Sequence, residues 1–264
     1  MSRQCSNCGV RDKSLCGSLS DAELDGLSKL GVLRRLGRGD TLVRADDPPL
    51  VCANLQSGVM KVSRVTPGGS EAIVGLLYPG DFIGRPFAES DDHDVVALTD
   101  VELCVFPRAG FERALTEHRQ MEQKLLQRTL AELDRARRWL MRMGRATASA
   151  RVAGFLDDMQ RRLATSDCQR PLATRACQRP LATSDCQRRL ATSDCQSGSA
   201  GGGTVAFDLP LSRGEIADLL GLTIETVSRQ MTRLRAAGII ELPGGRAVII
   251  RDTAALAEAA EEPA

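Results

Sequence analysis

The chain has 264 residues, of which 42% are hydrophobic, 26% charged and only 3% aromatic, with a net charge of +1. This suits one large or two ordinary globular domains with a mainly aliphatic core, and it excludes a nucleic-acid surface spread over the whole molecule. No apolar run approaches the ~20 residues of a membrane-spanning helix, and MSRQCSNCGVRDK lacks the apolar core of a secretory signal. The expectation is a cytoplasmic protein without membrane contact, in a compartment that keeps thiols reduced. Its nine cysteines then favour metal or redox chemistry over structural disulfides.

Residues 1–18 form a cysteine-rich arm. In "CSNCGVRDKSLC", Cys5, Cys8 and Cys16 stand in a C-x2-C-x7-C spacing on a stretch too short to fold by itself. Zinc and iron–sulfur centres both take four thiolates. Taken alone, the arm therefore either awaits a fourth ligand from elsewhere in the chain or carries incidental thiols.

Residues 19–108 read as a sensor domain of short strands. TLVR, LVCANL, VMKVSRV, AIVGLL and VELCVF are separated by turn signals such as TPGGSE and YPGD, which predicts an antiparallel sandwich or barrel-like roll. Cys52, inside LVCANL, is expected to be buried as a small hydrophobe.

Residues 109–144 change character. Leu126, Leu130, Leu133 and Leu140 recur at helical spacing alongside Met121, Leu125 and Met143, with no Gly or Pro between Gly110 and Gly144. A helix of roughly thirty residues is far longer than the mean of ~11–12, and its leucine stripe predicts pairing with a second copy of the chain. His118 is expected to be solvated on this helix. A linker helix over 145–163 places Val152, Phe155, Leu156 and Met159 on one face.

Residues 164–204 hold an insertion. A nonapeptide runs in four near-identical copies over 163–198, carrying Cys168, Cys177, Cys186 and Cys195, and SGSAGGG follows. These cysteines lack the C-x2-4-C pairing of structural zinc sites. The segment reads as a tolerated surface loop ending in a flexible linker.

Residues 205–251 carry clear punctuation. Ser212 and Glu215 make a capping box, Gly221 ends that helix, Thr223 caps the next and Gly238 ends it. With the Pro-Gly-Gly hairpin of IIELPGGRAVII, this predicts a winged helix-turn-helix. The Ala-rich, acidic tail, 252–264, reads as frayed. On the second helix, Ile224, Val227, Met231 and Leu234 form the stripe expected to face the core. Glu225, Ser228 and Arg229 then point outward near the end that enters the major groove. Arg229 suits guanine, Glu225 suits cytosine, and Ser228 suits a base or a phosphate. Arg213, Thr223, Thr232, Arg233, Arg235 and Arg246 are candidates for backbone contacts.

"LSRGEIADLLGLTIETVSRQMTRLRAAGII" resembles the DNA-binding domain of the Crp/Fnr transcription regulators, and E-T-V-S-R matches the E-x-x-S-R signature of the Fnr branch. The resemblance covers nearly the whole chain and fails at 163–203. It implies an α+β protein: an N-terminal antiparallel β-roll like cyclic-nucleotide-binding domains, a long dimerisation helix and a C-terminal winged helix-turn-helix. It further implies Cys5, Cys8, Cys16 and Cys104 as ligands of an oxygen-labile [4Fe–4S] cluster, although the arm's spacing departs from the C-x2-C-x5-C of the enterobacterial member. Arg3, Arg11 and Lys13 could offset the negative charge of such a cluster. The implied partners are double-stranded DNA bearing an inverted repeat of TTGAT, a second copy of the chain, and RNA polymerase. A cyclic nucleotide is not expected, because YPGDFIGRPFAESDDHDVVAL lacks the Arg-Ser pair that holds the phosphate and instead brings Asp91, Asp92 and Asp94. An enzyme is not expected either: the only histidines are His93 and His118, and no acid–base pocket is discernible. The competing reading is a Crp-type regulator responding to a small ligand or haem in the roll, which would need none of the four cysteines.

Overall fold

The computed structural model describes Cys5 and residues 8–66, 68–69, 71–167 and 204–261. The cysteines of the nonapeptide repeat and the Gly/Ser linker lie outside the described residues.

After a 3-10 turn, Leu15–Ser18, helix α1 (Asp21–Ser28) opens on a complete capping box between Ser20 and Glu23. Eight strands follow: β1 Val32–Leu36, β2 Thr41–Val43, β3 Val51–Ser57, β4 Met60–Val65, β5 Glu71–Leu77, β6 Phe82–Ile83, β7 Asp94–Ala97 and β8 Val101–Pro107. They form two antiparallel four-stranded sheets, ordered β1-β8-β3-β6 and β2-β7-β4-β5. Leu36, Leu55, Met60, Ile83, Val95 and Leu103 fill the space between them, as alternating apolar faces require. Gly58, at φ +84, makes the β3–β4 corner, where a Cβ would stand 2.4 Å from the Asp100 carbonyl, too close for any side chain.

The long helix expected over 109–144 is two helices: α2, Arg108–Glu117, and α3, Arg119–Arg145. His118 breaks them with φ −118 and ψ 88. Its ring is not solvated as expected but half-buried, with Nδ1 3.4 Å from Glu23 Oε1 on α1. The break serves packing. α2 turns Phe111, Ala114 and Leu115 into the roll, and α3 starts with Met121 fully buried and then leaves the domain.

Helix α4 (Ala148–Asp167) buries Val152, Phe155, Leu156 and Met159, the face expected from the sequence. These side chains belong to one core that also takes Val59, Ile73, Tyr78 and Leu98 from the roll and Ile216, Leu220, Val227 and Met231 from the C-terminal domain. That domain consists of β9 Val205–Asp208, α5 Arg213–Leu220, α6 Ile224–Ala236, β10 Ile240–Gly244 and β11 Ala247–Ile250. The wing is a three-stranded sheet, β10-β11-β9, with one strand more than the sequence suggested. The tail read as frayed is largely helical: α7, Thr253–Glu261, packs on α4 through the fully buried Leu256. Asp252 Oδ1 caps it by accepting from the amides of Ala254 (3.0 Å) and Ala255 (2.9 Å).

The Tyr78–Asp81 turn, after β5, is held from three sides. Arg128 of α3 donates to the Gly80 carbonyl at 2.6 Å, and Arg162 of α4 donates to Asp81 Oδ2 at 2.6 Å. The Arg162 guanidinium lies 4.2 Å from the centre of the Tyr78 ring, a cation–π contact. From the arm, Lys13 packs so closely that a Cβ on Gly80 would lie 3.0 Å from Lys13 Cβ.

Candidate cysteine pocket and nucleic-acid interface

The arm is wound by successive short turns: Arg11 N–H donates to Cys8 O at 3.2 Å, Ser14 N–H to Arg11 O at 3.1 Å and Gly17 N–H to Ser14 O at 3.3 Å. Leu15 and Leu19 anchor it in the core that also holds Phe106, Phe111 and Met121. Cys104 approaches from the roll on β8, opposite Asn54 of β3 and Leu33 of β1. Cys5, Cys8, Cys16 and Cys104 thereby line a single half-open pocket walled by Val10, Leu24, Leu27 and Phe106.

Two of the four thiols are held in their protonated form by burial. Burial, followed by repulsion from the neighbouring cysteines, pushes the Cys104 thiol up to about 12. Burial chiefly raises Cys16 as well, with Cys5 and Cys8 adding to it. Among the described residues, no three His, Cys, Asp or Glu are close enough to share a single ion. The donor set, four soft sulfurs spread around one pocket, fits a polynuclear thiolate-ligated centre. Gly31 lets the chain pass close by, since a Cβ there would stand 2.7 Å from the Phe106 ring and 3.1 Å from Cys104 Sγ.

Of the basic residues expected nearby, Arg11 lines the pocket while its guanidinium binds Asp21 at 2.6 Å. Lys13 lies against Gly80, and Arg3 is outside the described residues. Cys52 is fully buried, and burial raises its thiol to about 12, which suits an inert core position. The sequence reading missed Asn54, buried in the pocket wall. An asparagine two positions from Cys52 in an apolar strand was the available signal, because period-two geometry puts both on one face.

The second candidate site is the outer face of α6. Thr223 caps this helix, its hydroxyl accepting from Thr226 N–H at 3.2 Å. Glu225, Ser228, Arg229, Thr232, Arg233 and Arg235 are all exposed. The inner face differs from expectation: Ile224 is 52% exposed, and Gln230 is buried in its place beside Val227, Met231 and Leu234. Two backbone candidates are turned inward. Arg246 donates to the Pro210 carbonyl at 2.8 Å, and Arg213 is half-buried with its Nη1 enclosed and lacking a hydrogen-bond partner. Arg246 braces the domain, while Arg229, Arg233 and Arg235 remain on its surface. Thr232 bonds back to the Ser228 carbonyl at 3.0 Å.

Leu126, Leu130, Leu133 and Leu140 are 59%, 53%, 44% and 68% exposed, an apolar stripe left open by the described residues. Within the roll, Asp91 is buried and burial raises its carboxyl. Arg85 is paired with Asp92 and Lys61 with Glu71, each at 2.5 Å. No helix among the described residues is long and apolar enough to cross a membrane.

A β-roll, a long helix with an open leucine stripe and a winged helix-turn-helix together define a DNA-binding regulator. Residues 150–259 match the Crp-like helix-turn-helix domain and residues 33–118 the cyclic nucleotide-binding domain. The chain is 37% identical to a "Probable transcriptional activator" of Rhizobium leguminosarum bv. viciae, over 94% of this chain and 89% of the relative. It is 35% identical to the transcriptional activator protein FnrL of Cereibacter sphaeroides, over 97% and 92%. Its fold is similar to the solved structure of FixK2 from Bradyrhizobium japonicum, with a TM-score of 0.68 and 26% identity, covering 89% of this chain and 99% of that one. The chain belongs to the Crp/Fnr family of transcription regulators, a family of DNA-binding proteins and not of enzymes.

Proposed function

We propose that this chain is an oxygen-responsive member of the family, which binds an inverted-repeat DNA site as a homodimer and holds a [4Fe–4S] cluster on Cys5, Cys8, Cys16 and Cys104. One observation carries the reading: three cysteines of the arm and one from β8, far apart in sequence, line the same pocket. When bound, the cluster supplies an oxygen-sensitive link between arm and roll. Cys5, Cys8 and Cys16 tie down the arm, and Cys104 fixes it to β8. Leu15 and Leu19 of the tethered arm pack in the same core as Met121, with Leu125 at its edge, so an ordered arm seats the first turns of α3. That seat presents Leu126, Leu130, Leu133 and Leu140 to a second copy.

The dimer carries two α6 helices to half-sites about one DNA turn apart. Arg229, Glu225 and Ser228 read bases there, and Arg233 and Arg235 hold the backbone. RNA polymerase is the further partner of the DNA-bound dimer, in the cytoplasm. A change of about 1.4 kcal/mol in pairing of the α3 helices shifts the dimer equilibrium tenfold, so a modest change in the arm suffices.

Strictly anaerobic purification, with iron, acid-labile sulfide and DNA affinity measured before and after air, tests the reading. About four irons and four sulfides per chain, lost in air together with DNA binding, is the expected result. A colourless protein whose DNA affinity is indifferent to air would overturn it and direct the search to a ligand within the roll.

A further inference from the structure

We propose that Asn54 is a positioning residue of the cysteine pocket, its side-chain amide holding the Cys16 sulfur and so governing how firmly a cluster is retained. This rests on the cluster reading above and deepens it. The sheet register brings the residue there. Leu33, Cys104, Asn54 and Phe82 pair directly across β1, β8, β3 and β6, and cross-strand partners share one face. That face meets the arm. Asn54 therefore stands beside Cys104 on the sheet and reaches Cys16 on the arm, with Nδ2 donating to Cys16 Sγ at 3.5 Å, an ordinary length for the large sulfur atom.

Three features set this contact apart from routine satisfaction of a buried polar group. Asn54 is only 2% exposed, in a strand whose neighbours Cys52, Ala53 and Leu55 are fully buried and apolar or weakly polar. Its Oδ1 is enclosed without a hydrogen-bond partner, so the fold gains little from the amide and bears the desolvation of its carbonyl. A leucine of similar shape would suit the fold better. The chemistry of the sulfur supplies the reason for an amide. A ligand thiolate carries negative charge and accepts hydrogen bonds, and donors to ligand sulfurs set the stability and potential of iron–sulfur centres. Ser14 is also buried beside Cys16 and hydrogen-bonds its sulfur from the arm itself, while its hydroxyl lies 2.9 Å from the Arg11 carbonyl. Asn54 is the donor that reaches the sulfur from the sheet, across from the arm.

The test uses the full chain, purified without oxygen, as wild type, Asn54→Leu and Asn54→Asp. Leucine removes the donor and keeps the bulk, whereas aspartate keeps the shape and, ionised at high pH, presents acceptors only. Iron and sulfide in the wild type are measured first. Their absence would sink the cluster reading itself, a result distinct from failure of the present inference. Given a loaded wild type, two quantities are compared: the anaerobic rate of iron loss to a ferrous chelator, and the melting temperature of the metal-free chain. The expected result is a metal-free Asn54→Leu chain that melts at or above the wild-type temperature, yet loses iron about tenfold faster or cannot be loaded. Asn54→Asp loses iron faster still, and it carries the comparison should the leucine variant fail to fold. Chelation rates within about twofold of wild type in a loaded variant, well short of the expected factor, would overturn the proposal. A loss of cluster that merely tracked a fall in the metal-free melting temperature would overturn it too.

Discussion

Replacing Leu130 and Leu133 by alanine tests whether the α3 stripe is the dimer seam. These side chains are 53% and 44% exposed, so about half of each remains to be covered by a partner. Full burial of a leucine is worth ~1.5–3 kcal/mol, which leaves about 1 kcal/mol per side chain for association. A symmetric dimer loses two leucines on each of two chains, about 4 kcal/mol in all, or about a thousandfold in dimer dissociation constant. The monomer should lose only a little of its melting temperature, because the isolated chain covers just part of each side chain. Sedimentation equilibrium under anaerobic conditions, with the four-cysteine centre loaded, measures the constant directly. A double variant whose dimerisation matched wild type within threefold, far below that estimate, would refute the seam, and the stripe would then serve some other surface.

Arg229→Ala should weaken DNA binding by about 1–3 kcal/mol per half-site and relax preference at one base pair, whereas Arg235→Ala should lower affinity for all sequences alike; gel-shift titrations over a set of single-base variants separate the two. Gly31→Val places its side chain against the Phe106 ring and the Cys104 sulfur, and anaerobic iron analysis should find the pocket unable to fill while the far-ultraviolet spectrum is unchanged. The Cys52 thiol, raised to about 12 by burial, binds its proton more tightly folded than unfolded. Its contribution is therefore complete below the ordinary thiol value of about 8.5 and is lost as pH climbs from there toward about 12. Denaturant midpoints from pH 8 upward should fall less steeply for Cys52→Ala than for wild type, after allowing for the lower starting stability of a core truncation.

The parts legible in the sequence were those with local chemical punctuation. Ser212, Glu215, Thr223 and Gly221 announce the two helices of the DNA-binding domain, and the structure finds the capping box and the left-handed Gly221. The α4 stripe of Val152, Phe155, Leu156 and Met159 was readable for the same reason. What failed depended on contacts remote in sequence. Nothing near His118 signals a helix break; Glu23, on another helix, meets its ring there. The alanine-rich tail looks weak in isolation and folds because α4 offers Leu256 a place to bury. Ile224 belongs to the apolar stripe by periodicity, but it falls in the first turn of α6, beyond the edge of the core, and Gln230 takes the covered position. Cysteine spacing suggested a metal site, yet only the strand pairing of β3 with β8 brings Asn54 beside it.

The grip of Arg162 on the Tyr78–Asp81 turn makes α4 a lever with its fulcrum on the sensor domain. Val152, Phe155, Leu156 and Met159 of the same helix share a core with Ile216, Leu220, Val227 and Met231 of the winged domain, so α4 joins the recognition helix to this turn. The same four-residue turn also bears Arg128 of the pairing helix and Lys13 of the arm. The arm, the long helix α3 and the linker helix α4 thus rest on one small bearing. Wear at that bearing would leave sensing and binding each intact when assayed alone, and would appear only as a loss of correlation between them.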